Sequence, residues 1–128
     1  MNTELLRPIT SKEVDTYHHD GVLLLKNMFD KDWIKILNNG LDVNIEKPTK
    51  CSRIWYKDTS GRSMFYDHTA WQNIDEYKKF IFNSPAAKIC GRLTGSSTIN
   101  FFFDSVFVRS TGTQFETPWH QDEPYWSV

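Results

Sequence analysis

Late in the chain the hydrophobic pattern changes period. TINFFFDSVFVR (98–109) alternates from one residue to the next, as a β-strand does. The longer apolar patterns upstream instead recur every three or four residues, as helices do. The odd positions are Ile99, Phe101, Phe103, Ser105 and Phe107, and the even ones Asn100, Phe102, Asp104, Val106 and Val108. Both sets are largely apolar, so this strand is expected to be covered on both faces. Helices first and strands last describe an α+β fold whose sheet has only begun when the sequence ends.

The upstream boundaries follow from local chemistry. Thr10 and Glu13 have capping-box spacing, so a helix should start near Ser11, bury Val14 and Tyr17, and end at Gly21. VLLLKNM (22–28) reads as a short buried strand. Asp30 should cap a second helix, with Phe29 and Ile34 placed as a hydrophobic staple and Trp33, Leu37 and Leu41 continuing its face. CSRIWY (51–56) reads as a strand, DTSG (58–61) as a turn, and an apolar stretch runs on through Phe65. Asn73 can cap a third helix carrying Ile74, Tyr77 and Ile81. Ser84-Pro85 opens a fourth, with proline at the first helical position, and Gly95 ends it. STGT (110–113) makes a turn, and FETPWHQDEPYW (115–126) begins another extended segment. No repeat, low-complexity tract or linker divides residues 1–128, so one domain is expected.

Composition removes several function classes. Fifteen basic residues stand against 16 acidic ones with no basic run, so no nucleic-acid partner is expected. No apolar run approaches membrane-spanning length; LLL (23–25) is bounded at once by Lys26 and Asn27. Cys51 and Cys90 are far apart, and the polar, acidic start MNTELLRPITSKEVD is unlike a signal peptide. Free thiols and a cytoplasmic location are the expectation.

The chemistry concentrates in TPWHQDEPYW (117–126). In an extended segment residues two apart point the same way, roughly 6.5–7 Å from each other. His120 and Asp122 could therefore reach one metal, as in the facial triad of two histidines and one carboxylate that binds Fe(II) and leaves positions open. Alone, H-x-D is a weak signal. The bland reading of Trp119, Tyr125 and Trp126 is core packing, and Pro118 and Pro124 could simply mark strand limits.

The wider context is more specific. From HHDGVLLLKNMF through SMFYDHTAW, SPAAKICGRLTGS and NFFFDSVFVRSTG to TPWHQDEPYW, the chain resembles the phytanoyl-CoA dioxygenase family of Fe(II)/2-oxoglutarate oxygenases. The resemblance implies an N-terminal set of helices followed by the first strands of a double-stranded β-helix, or jelly roll. It implies that His120 and Asp122 match the first two iron ligands. Ser105, Phe107 and Arg109 would lie on the cosubstrate-lining strand, and Phe103 and Trp126 in the substrate pocket. Arg109 stands where many relatives carry lysine; charge is kept but geometry is not. Members chelate iron with 2-oxoglutarate, consume O2, release succinate and CO2, and hydroxylate an unactivated C–H bond of a small organic substrate. Retention of Asp122 favours hydroxylation, since related halogenases replace this carboxylate with a small residue.

In that family a late-strand histidine completes the triad, and an arginine beyond it binds the far carboxylate of 2-oxoglutarate. Neither position falls within these 128 residues. His18, His19 and His68 match no ligand position; His18 and His19 read as helix-end residues and His68 as a loop residue. The expectation is an N-terminal part of a longer oxygenase, cut after its first metal motif and showing no turnover by itself. The alternative is a non-catalytic jelly-roll binding module with a vestigial H-x-D. A helical interaction domain with a disordered tail conflicts with the alternation at 98–109.

Overall fold

The computed structural model describes residues 1–126. Helices α1 (Ser11–Asp20), α2 (Lys31–Glu46), α3 (Asp75–Asn83) and α4 (Ala86–Thr94) accompany a small sheet of β1 (Arg53–Lys57), β2 (Ser63–His68) and β3 (Ser105–Arg109). The sheet is antiparallel throughout, in the order β1-β2-β3. An α+β fold is therefore present.

The helix boundaries sit where the caps required. The Thr10 hydroxyl accepts from the Glu13 N–H at 3.2 Å and the Glu13 carboxylate accepts from the Thr10 N–H at 2.8 Å. Gly21 and Gly95 close α1 and α4 in the left-handed conformation, at φ 72° and 68°. Asp30 caps α2 by accepting from the N–H groups of Asp32 and Trp33. Ser84 Oγ accepts from Ala86 N at 3.3 Å, but α4 starts at Ala86, one residue later than expected, with Pro85 at the cap position and not inside the helix. The third helix starts one position later than expected, at Asp75, because a single turn of 3-10 helix (Ala70–Gln72) runs into Asn73.

Three expected extended stretches differ. Residues 22–28 form no strand: Val22 and Leu24 are exposed, and the backbone is held by side chains of the N-terminal segment. Arg7 Nε donates to Lys26 O and Asn2 Nδ2 to Met28 O. The strand read over 98–109 is confined to Ser105–Arg109, because only there does β2 offer a ladder. Residues 115–126 are irregular, ending in a 3-10 turn (Glu123–Tyr125), so the H-x-D pair does not lie on a strand.

Register divides the sheet into two faces. Phe65 pairs with Val108 and Asp67 with Val106 on the side facing the helices. Val106 packs on the core of Ala70, Ile74 and Tyr77, together with Leu37 and Trp71. Buried Asp67 ties this face to α2: it accepts from Asn44 Nδ2 at 2.8 Å, Thr49 N at 2.9 Å, Thr49 Oγ1 at 2.5 Å and His68 N at 2.8 Å. Where α2 crosses α3, Gly40 lets the helices approach; an added Cβ would lie 2.9 Å from Glu76 Cβ and from Tyr77 Cε1. The opposite face pairs Met64 with Arg109, Tyr66 with Phe107 and His68 with Ser105. There Phe107 is 60% exposed, so β3 is covered on one face and not on both.

Candidate functional site

The open face is a floor of rings made by strand pairing. Tyr66 lies against Phe107 (centroids 4.8 Å), Trp55 (5.9 Å) and His68 (5.6 Å), and His68 lies against Phe103 (5.3 Å). His68 is thus the last residue of β2 and not a loop residue. Its Nδ1 is 2.9 Å from Thr69 Oγ1. Thr69 holds a left-handed backbone at φ 58° at the strand's end.

The segment after β3 forms a strap docked on aromatic rings at both ends. At its near end Phe115 stacks on Tyr56 (5.2 Å, 17°), the β1 partner of Met64. Arg109 Nη2 donates to Thr117 Oγ1 at 2.8 Å and lies 3.8 Å from Met64 Sδ. These neighbours leave Met64 only 7% exposed although it shares the open face. At the far end Trp126 packs edge-on against Phe102 (5.2 Å) and Phe103 (4.7 Å).

His120 and Asp122 sit between the two docking points. His120 Nδ1 is 2.7 Å from Pro118 O, which can only accept, so Nδ1 carries the proton and Nε2 faces outward. Nε2 lies 3.2 Å from Asp122 Oδ1. Both side chains are solvent-accessible. The local turn achieves what the expected strand alternation was to provide, namely an imidazole nitrogen and a carboxylate oxygen converging on one point. That donor set suits a divalent cation of borderline hardness, which would take the place of the direct contact. Among the described residues no group of three histidine, cysteine or acidic side chains could hold a metal.

The expected lining residues are brought together in part. Ser105, Phe107 and Arg109 share the open face, and Phe103 and Trp126 touch each other at its far end. Trp119 is fully exposed. Met64, Tyr66 and His68 join the site from SMFYDH, which has period two and whose even members share the open face, and Thr117 joins it from the strap. Two surface clefts lie elsewhere, one along α4 beside Gly91 and Gly95 and one between Ile45, Ile54, Phe65 and Val108 on the helix side. No described helix is long and apolar enough to cross a membrane.

The phytanoyl-CoA dioxygenase (PhyH) family model matches residues 17–128, from the last turn of α1 through the strap. No curated protein and no solved structure gives a match to this chain.

Proposed function

Because the chain belongs to the phytanoyl-CoA dioxygenase family, we propose that it contributes two iron ligands, His120 and Asp122, to a 2-oxoglutarate-dependent oxygenase. The reaction is hydroxylation of an unactivated C–H bond in a small organic substrate, within the jelly roll that such a family builds. The observation that carries this reading is the convergence of His120 Nε2 and Asp122 Oδ1 at 3.2 Å, with Nδ1 already engaged by Pro118 O.

Bound Fe(II) would supply a centre for 2-oxoglutarate and O2. The protein's own part is geometric. Pro118 fixes the imidazole so that a lone pair on Nε2 points at the site, the outer-sphere role that a metal-bound histidine requires. Asp122 brings the negative charge that offsets a divalent cation. Ser105 and Phe107 line the cosubstrate side of the floor, where Ser105 pairs with His68 across the ladder. Phe103 and Trp126, packed edge-on, form the substrate wall, an apolar surface beside the reacting bond.

The test is anaerobic addition of Fe(II) and 2-oxoglutarate to the complete gene product, followed by air. A visible charge-transfer band and succinate release are expected from the natural protein. Both should vanish in His120→Ala and Asp122→Ala. A band that survives His120→Ala would remove this residue from the metal's coordination and the reading with it.

A further inference from the structure

The strap that carries His120 and Asp122 has few backbone partners of its own. Between residues 114 and 122 no backbone N–H of the strap donates to another backbone carbonyl among the described residues, and the first such bond is Tyr125 N to Asp122 O at its end. A segment of this kind keeps a defined path only if side chains hold it. The nearest polar hold on His120 is Arg109 to Thr117, three residues upstream.

Several features fit that hold. Arg109 is the last residue of β3, so its Cα is fixed by the ladder opposite Met64. Its side chain is exposed, yet one amino group lies on Thr117 Oγ1 and near Met64 Sδ. No carboxylate lies within ion-pair distance of it among the described residues. Thr117 precedes Pro118, whose fixed φ and carbonyl determine where the His120 ring sits. The path β3–Arg109–Thr117–Pro118 O–His120 Nδ1 is therefore continuous from the sheet to the imidazole.

We propose that Arg109 is a positioning residue: its guanidinium clasps Thr117 and thereby sets the place and orientation of His120 for the metal. This assigns Arg109 a role on the strap in place of contact with the cosubstrate. It rests on the metal reading above, but its first test does not. The clasp predicts that an uncharged neighbour, Thr117, matters as much as Arg109 itself, whereas a residue that binds a carboxylate would act alone.

The rate of limited proteolysis within residues 113–126 is measured for the natural chain, Arg109→Ala, Thr117→Val, Thr117→Ser and the Arg109→Ala/Thr117→Val pair. Loss of one exposed hydrogen bond should speed cleavage there by about three- to fivefold. Arg109→Ala and Thr117→Val should do so alike and the pair no further, while Thr117→Ser keeps the acceptor and the protection. Amide hydrogen exchange in the paired strands β2 and β3 should not change, which separates loss of the clasp from loss of the fold. In parallel, Mn(II) binding is followed by the loss of its free-ion spin-resonance signal. Both single variants should weaken it by a similar factor, and Thr117→Ser should restore it.

Unchanged cleavage of the strap in Thr117→Val, or additive effects in the pair, would overturn the clasp. Absence of Mn(II) binding to the natural chain, with strap protection behaving as expected, would overturn the metal reading and leave the Arg109–Thr117 tether standing.

Discussion

Replacing Asp67 by alanine removes the one acceptor that four donors share. Two of those, the N–H and hydroxyl of Thr49, sit in a half-buried residue and can be rehydrated. Asn44 is fully buried and loses the partner of its Nδ2, while the His68 N–H loses its acceptor at the strand end. Each stranded donor costs about 1–3 kcal/mol, so Asp67→Ala should destabilise the fold by roughly 3–5 kcal/mol. That is a large share of the about 5–15 kcal/mol typical of a domain. Asp67→Asn is the informative partner. Its carbonyl can accept from Asn44 and Thr49 N, and its amide can donate to the Thr49 hydroxyl, leaving only His68 N unmatched. A loss of about 2 kcal/mol follows. Urea unfolding followed by circular dichroism measures both variants. A loss below about 1 kcal/mol in Asp67→Ala, or equal losses in the two variants, would refute the claim that this carboxylate joins α2 to β2.

The same site predicts an acid limb. Burial alone would raise the Asp67 pKa, but hydrogen bonds from Thr49, Asn44 and His68 outweigh it and hold the carboxyl below its ordinary value. A depressed folded value means the contribution is complete above the unfolded pKa and fades as pH falls through the lower, folded one. Glu13 behaves likewise: Arg7 and the Thr10 N–H lower it to about 2, so the α1 capping box should persist until pH falls from about 4.5 toward 2. Glu13→Gln should flatten that part of a pH–stability curve. Gly40→Ala should destabilise by about 1–3 kcal/mol despite alanine's better helix propensity, because its Cβ would press on Tyr77 and Glu76; thermal unfolding tests it, and a stabilised variant would refute the close crossing. Val106→Ala should cost more stability, about 1–2 kcal/mol, than Phe107→Ala, since Val106 packs on the core and Phe107 faces outward. The reverse order would invert the faces assigned to β3.

Much of the helical layer was readable from neighbouring residues. A cap is complete within four positions, so Thr10 with Glu13, Asp30, Ser84-Pro85 and the glycines at 21 and 95 locate helix ends without knowledge of anything distant. Strands lack that independence. VLLLKNM has the composition of a strand but no ladder to join, and its Leu24 faces solvent. Conversely, SMFYDH was recognisable only as apolar, yet pairing on both sides makes it the central strand and carries His68 to the open face.

The H-x-D pair shows the same division at the site. Its residue types, spacing and family context were legible in the chain, because ligand chemistry belongs to the side chains themselves. The means of convergence was not: an irregular strap, anchored through Arg109 and Thr117 at one end and Trp126 at the other, takes the place of the expected strand. Sequence alone determined where helices begin and end and which donors a metal could use. Tertiary structure decided which face of β3 is buried, that Asp67 is a joint between layers, and how His120 is aimed. The first two outcomes depend on partners far along the chain, and the third on a turn and a side-chain clasp that the strand-like spacing of the segment does not encode.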